Sequence, residues 1–550
     1  MKTSIRRASL LLAVCLLVSA SARAQTDAEG RELASRLDKR LTELAARKRF
    51  SGAALVAREG RVILSQGYGM ANYELDVPNT PQTKFRLGSL TKQFTAAAVL
   101  LLQERGKLSV QDSVCKHVEG CPAAWQSVTV HHLLTHTSGI PSFTSFPEYR
   151  QTSRLPTTIP DIIKRFRDRP LEFAPGERFN YSNSGYVLLG HLVEKISGKS
   201  YEEFLRENFF VPAGMTRTGY DRNEEVLPGR ASGYVLRDGR LYNADFIDMS
   251  IPHGAGALYS TVEDLYLWDQ SLYGGKLLSA KSLEAMTTPF RVGYAYGVGV
   301  RPHWGSRSVA HGGGIEGFNT YLVRWDEPRT TVVVLSNIEN VNTASVATAL
   351  AREALSDKIA VPATVRVEPA VLKTYEGRYE ADQATRPGLF LDVTAEGDKL
   401  FVKYPSQDRH LLAPVAAAEF LDFDDPNEAR FVFGKDAGGG ATLTASGFGP
   451  EPLVMRRITL PPPSLRGNTT FRLKGHTDAS LVALAGTFNE WNQSRTLCGR
   501  EGDGWVCRLD LPPGKHLYKF VVDGEWMPDP ANPARERDPQ GNVNSVLMKQ

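Results

Sequence analysis

The stretch Phe85-Arg86-Leu87-Gly88-Ser89-Leu90-Thr91-Lys92-Gln93-Phe94 sets a hydroxyl and an amine one helical turn apart where an apolar run begins. From Leu90 to Leu102 the chain holds Phe94, Ala96 to Ala98 and Val99 to Leu102 without Gly or Pro, which predicts a mostly buried helix closed by Gly106. Residues i and i+3 share a helix face, so the Lys92 amine reaches the Ser89 hydroxyl. Unpaired N–H groups at the helix start favour negative charge on that oxygen. A weak nucleophile is activated in this way. By itself the spacing is also that of an ordinary serine N-cap.

Two further boxes follow in order. Tyr181-Ser182-Asn183 comes after the loop-like Pro175-Gly176-Glu177, and His311-Gly312-Gly313-Gly314 lies just ahead of the strand-like run Thr320 to Trp325. The three boxes together resemble the serine β-lactamase and penicillin-binding-protein superfamily, in the branch that holds class C β-lactamases, D-specific peptidases of the S12 kind and related esterases. Leu133-Leu134-Thr135-His136-Thr137-Ser138-Gly139 and Phe173-Ala174-Pro175-Gly176 are similar to flanking segments of that family. The resemblance covers roughly residues 30 to 355 and implies its α/β architecture.

Physical need assigns the expected roles. Ser89 attacks a carbonyl, while Lys92 and Tyr181 share the removal and return of a proton. Asn183 orients substrate or lysine, and the backbone N–H groups of Ser89 and Gly314 form the oxyanion hole, the glycines allowing close backbone approach. A phenol with an ordinary pKa near ~10 is a poor base, so ionised Tyr181 would need the Lys92 cation beside it. His311, with Gly312 and Gly313, is expected to bind substrate. Many relatives carry lysine at that place, and a histidine there is charged only in part near neutrality, which lowers the expectation of efficient β-lactam hydrolysis. His131, His132 and His136 lack the H-E-x-x-H pattern and read as structural, so no metal and no cofactor is expected.

Met1 to Ala24 has a basic head (Lys2, Arg6, Arg7), an apolar run from Leu10 to Val18 and a small-x-small ending at Ala22-Arg23-Ala24, the pattern of an export signal. The run is too short to span a bilayer, and no integral membrane anchor is expected. Residues 1–24 hold four of the 65 basic residues and none of the 61 acidic ones, leaving 61 of each. That balance offers no electrostatic case for nucleic acid. Apart from Cys15 in the leader, the cysteines form two close pairs, Cys115 with Cys121 and Cys498 with Cys507, which suits local disulfides in a periplasmic or secreted protein.

At 550 residues one core does not suffice. The expected order is a hydrolase domain over 28–360, a small β-barrel over 362–459, a Pro-rich linker at 460–465 and a β-sandwich over 466–550. In the first, strands Ala53 to Arg58 and Arg61 to Tyr68 make a hairpin, and strands Thr320 to Trp325 and Thr330 to Leu335 join them from the other end of the domain, giving an antiparallel sheet with a helical region inserted. The second alternates in short strands and resembles the lipocalin-like barrels that follow some such hydrolases. The third, with Val482 to Asn492 and Leu517 to Trp526 as strands with Asp-Gly turns, resembles the immunoglobulin-like glycogen-binding domain of AMP-activated kinase β subunits. That resemblance implies Trp491, Lys519, Trp526 and Asn544 as contacts to an α-glucan. The expected activity is hydrolysis of a peptide or small-molecule amide or ester, of D-amino-acid peptidase or esterase type. Weak β-lactamase action is one competing reading, and a non-catalytic penicillin- or glycan-binding sensor is another.

Overall fold

Residues Gly52–Arg58 (β1) and Arg61–Tyr68 (β2) form the expected hairpin, preceded by a helix over 29–46 (α1). A computed structural model of the protein describes residues 29–237, 240–356, 358, 364–382, 389–404, 409–422, 425, 429–447, 451–537 and 543–550. The expected leader 1–24 and the break at Val361-Pro362-Ala363 lie outside them.

Two units are resolved, residues 1–360 and 361–550. In the first, Phe85–Arg86 (β3) leads through a tight turn at Gly88–Leu90 into Thr91–Glu104 (α2). Asn183–Ser197 (α3), Gly219–Tyr220 (β4), His253–Gly256 (α4) and Leu258–Ser260 (β5) belong to the inserted helical region. The chain then returns as Gly299–His303 (β6), Ser306–Ile315 (β7), Phe318–Trp325 (β8) and Thr330–Ser336 (β9). Helix Thr343–Ala354 (α5) follows. The sheet order is β6-β7-β8-β9-β1-β2, antiparallel throughout, with Gly52 opposite Ser336 and Arg58 opposite Thr330. A sheet built from both ends of the domain is therefore what the strand pattern predicted. The glycine box, expected ahead of a strand, lies within one: Gly312 to Gly314 pair with Tyr321 to Asn319.

Helix α2 is buried almost all round, Thr91 to Leu100 and Leu102 being shielded from solvent, polar side chains included. Phe94 packs on Trp268 with ring centroids 4.1 Å apart and meets Phe210 edge-on at 5.8 Å. Its buried polar groups are bonded: Gln93 accepts from Trp268 Nε1, and Thr95 donates to the Gly254 carbonyl at 2.6 Å. This rigid rod carries Lys92.

In the second unit eight antiparallel strands, from Gly377–Ala381 to Leu453–Ile458, close into a barrel around Tyr379, Phe420, Phe431 and Met455. Beyond it lie a three-stranded and a five-stranded antiparallel sheet with a shared core of Phe471, Leu484, Tyr518 and Phe520. The expected spacer at 460–465 is tied down at its end, where the Ser464 N–H donates to the Leu497 carbonyl at 2.7 Å and the Ser464 hydroxyl to the Arg508 carbonyl at 2.6 Å. Disulfides join Cys115 to Cys121 and Cys498 to Cys507. Among the described residues no helix is long and apolar enough to cross a membrane.

Candidate active site

Gly88 turns the chain with φ +54°, a left-handed conformation that only glycine adopts freely. A Cβ there would also lie 2.8 Å from the Gly314 carbonyl oxygen. A Cβ on Gly313 would sit 2.0 Å from the Leu87 carbonyl oxygen, and Thr320 Oγ1 donates to that same oxygen at 2.8 Å. The turn bearing Ser89 and strand β7 are thus pressed together, and Gly88 and Gly313 permit it. Gly314 differs from the expectation: a Cβ on it meets nothing within 4 Å and would project into open space. Gly313→Ala should therefore cost about 1–3 kcal/mol by pushing the strand off the turn. Gly314→Ala should keep its stability within about 0.5 kcal/mol. Thermal melts of the two variants measure the contrast.

Ser89 opens onto a cleft of about 420 Å³ whose lining includes Phe143, Thr144, Asn183, Ala255 and Gly314. Lys92 Nζ, fully buried, lies 2.9 Å from Ser89 Oγ, 2.9 Å from Asn183 Oδ1 and 2.8 Å from the Ala255 carbonyl oxygen. Asn183 Nδ2 donates to Thr144 Oγ1 at 3.0 Å, which fixes the amide with its oxygen toward lysine. Burial holds the Lys92 amine well below its ordinary pKa. A neutral amine suits these partners: its two N–H groups serve the two obligate acceptors, and its lone pair is left for the Ser89 hydroxyl proton.

Tyr181 hydrogen-bonds Ser89, and its ring centroid is 4.8 Å from Lys92 Nζ. Burial raises its phenol well above the ordinary value, an effect that the Ser89 hydrogen bond only partly offsets. Burial also lowers the pKa of Lys92, which works against the aid expected from a Lys92 cation. His136 stacks on the Tyr181 ring at 4.1 Å and its Nδ1 accepts from the Ser182 N–H at 3.1 Å, so it orients the tyrosine box. His132 and Thr129 close a helix cap on each other, and His131 Nδ1 meets Tyr296 at 2.8 Å. Among the described residues no cluster fit to hold a metal occurs.

His311 corrects the expectation made for it. It is 8% exposed and does not line the cleft. Its Nδ1 lies 2.5 Å from the Gly312 carbonyl oxygen and so carries the proton, leaving Nε2 to accept from Tyr294 Oη at 2.9 Å. Burial, with Lys92 next in effect, lowers its pKa to about 3. The ring is neutral and fully bonded, so it has no charge to offer a substrate carboxylate. Gly312 and Gly313 line a second cavity with Asn340 and Asn342, and this cavity shares Gly314 and Asn319 with the main cleft. Sequence patterns gave no sign of Ala255, Thr144 or the Glu316 and Glu339 carboxylates that line the cleft, because a backbone carbonyl and isolated loop side chains carry no spacing signal.

In the C-terminal sheets Trp526 is 38% exposed and Trp491 half-buried, with ring centroids 6.2 Å apart. Strand Val482–Gly486 stops before the tryptophan, and Glu490 and Trp491 turn at φ +58° and +60°, where a strand was expected to continue. Lys519 stands on the next strand, opposite Ala485. Asn544 departs from the expectation, being 1% exposed and so offering no open surface to a sugar.

The description "Beta-lactamase" fits a family model matched by residues 37–356, and residues 468–549 match the glycogen recognition site of AMP-activated protein kinase. The chain is 30% identical over 427 residues to penicillin-binding protein 4* of Bacillus subtilis, across 72% of this chain and 92% of that one. The octameric penicillin-binding protein homologue from Pyrococcus abyssi is similar at 28% identity and a TM-score of 0.54, over 76% of this chain and 99% of that one. The D-amino acid amidase from Ochrobactrum anthropi shares the fold at 23% identity and a TM-score of 0.53, over 60% of this chain and 100% of that one. With Ser89, Asn183 and Gly314, one residue from each box, lining one cleft, the chain belongs to the β-lactamase family and is a serine hydrolase of the S-x-x-K type.

Proposed function

We propose that the protein is an exported hydrolase that cleaves an amide or ester through an acyl-enzyme on Ser89, of D-amino-acid peptidase or esterase type. The observation that carries this reading is the buried Lys92 amine 2.9 Å from Ser89 Oγ, its pKa held well below the ordinary value by burial. Lys92 takes the hydroxyl proton as Oγ bonds to the substrate carbonyl carbon. The oxyanion is held by the N–H groups of Ser89 and Gly314. The resulting ammonium returns the proton to the leaving nitrogen or oxygen by way of the Tyr181 hydroxyl, and water repeats the cycle in reverse to free the acid. Neutral His311 supports an amidase or esterase over an efficient β-lactamase, since no cation replaces the lysine of other relatives. A sensor without turnover would have no use for an amine held against Ser89 with its pKa lowered by burial.

A fluorophosphonate probe should label Ser89, as read by mass spectrometry of the digested adduct. Labelling elsewhere, or full ester turnover by Ser89→Ala, would remove Ser89 from the chemistry.

For the C-terminal region we propose α-glucan binding by Trp491 and Trp526, with Lys519 nearby, supported by the match over 468–549 and the paired rings. Native gels containing glycogen or amylose should retard the intact chain and leave Trp491→Ala/Trp526→Ala unretarded, with hydrolysis of a small soluble ester equal in both. Equal migration of the two proteins in every glucan would make the domain structural.

A further inference from the structure

We propose that the Ser89 cleft selects acyl donors that carry a protonated primary amine beside an apolar side chain, such as amino-acid amides and esters with a free amino group, with Glu316 and Glu339 as the specificity-determining carboxylates. This rests on the acyl-enzyme reading and deepens it. The site itself is built around Ser89, and the question is what charge its walls accept. Among the described residues no lysine, arginine or histidine lines the cleft, whereas Glu316 and Glu339 do. Neither carboxylate forms an ion pair among the described residues. One oxygen of Glu339 accepts from the Gly317 N–H at 3.2 Å. The guanidinium closest in effect to Glu316 is Arg86, and its Nε is already committed to Asp221 at 2.6 Å. Burial raises the Glu316 carboxyl's pKa, with Glu339 and Asp245 adding to the rise and Arg86 opposing it. An ammonium brought beside Glu316 would offset the repulsion from Glu339 and Asp245 and favour the ionised carboxylate.

Part of the remaining wall is apolar. Phe143, Tyr149, Ile247, Ile251 and Ile315 face the same space, enough to bury one aromatic or branched side chain. A substrate carboxylate would meet two acidic side chains and no basic one in this lining, the reverse of what a carboxylate-terminated peptide or a β-lactam acid requires.

The test uses the full chain with phenylalanine p-nitroanilide, its N-acetyl derivative and its N-succinyl derivative, in D and L forms, so that one scaffold carries a cation, no charge or an anion. They serve as substrates or, where not cleaved, as competitive inhibitors of p-nitrophenyl butyrate hydrolysis. The free amine should be preferred over the acetyl form by about tenfold or more, and the succinyl form should rank last. In Glu316→Gln/Glu339→Gln the preference should collapse to within about threefold whatever the absolute rate; should that variant be misfolded, Glu339→Gln alone should reduce it. A succinyl form that equals the amine, or a preference that survives in the folded double variant, would overturn the inference. Ester turnover that persists in Ser89→Ala would instead overturn the acyl-enzyme reading, so the two failures are distinguishable.

Discussion

Lys92→Arg and Lys92→Met should each lower kcat/KM for the best ester about 10³-fold, with circular dichroism matching the parent. The pair is informative because arginine keeps a cation and methionine keeps the buried volume, yet neither accepts a proton. If the amine served only as a positive charge, arginine would retain most of the rate. The pH dependence follows from the direction of the shift. Activity requires the neutral amine and is lost as pH falls through its folded-state pKa, which burial sets well below the ordinary value, so the loss should come at lower pH than for an exposed lysine. Stability has the matching sign. Between the folded and unfolded pKa values the unfolded chain binds the extra proton, so unfolding free energy rises with pH, by up to about 1.4 kcal/mol per unit. Denaturation of the parent against Lys92→Met between pH 7 and 10 should show the parent gaining. A parent that gains nothing would mean that Lys92 is charged in the folded state.

Asp221→Ala should destabilise the 1–360 unit by about 3–5 kcal/mol, the range for breaking a buried ion pair from one side. Asp221 is 1% exposed, and its two oxygens lie 2.6 Å from Arg86 Nε and 2.6 Å from Arg230 Nη1. Arg86 belongs to β3, which pairs with β5 while β4 pairs on the other side of β5, three residues before Ser89. Removal of the carboxylate leaves two guanidinia without their shared partner and loosens the stem of the catalytic turn. Asp245→Ala is the control, because its pair with Arg154 is exposed and worth at most about 1 kcal/mol. Urea denaturation gives both values, and equal effects from the two variants would show that the Asp221 clamp carries no special weight.

Much of this protein was legible from residue order. The apolar run after Ser89 could only be a buried helix, and a spacing of three residues on a helix brings Lys92 to the serine whatever else the chain does. The strand-like runs 53–58 and 61–68 declared a hairpin because short apolar runs on either side of a Glu-Gly junction are local facts. The cysteine pairs were readable for the same reason, being six and nine residues apart.

What tertiary structure alone decided is charge and exposure. His311 reads as a partly charged ligand, but burial beside Tyr294 and Lys92 makes it neutral. Tyr181 reads as a phenolate in waiting, but desolvation raises its pKa and lowers that of the lysine. Asn544 reads as a sugar contact and is buried, and the Ala255 carbonyl that completes the lysine's shell lies 163 residues from it. Spacing along a chain determines which groups one helix or strand presents together. The free energy of a charge depends on everything packed around it, and that surrounding shell is drawn from segments whose meeting no local pattern records.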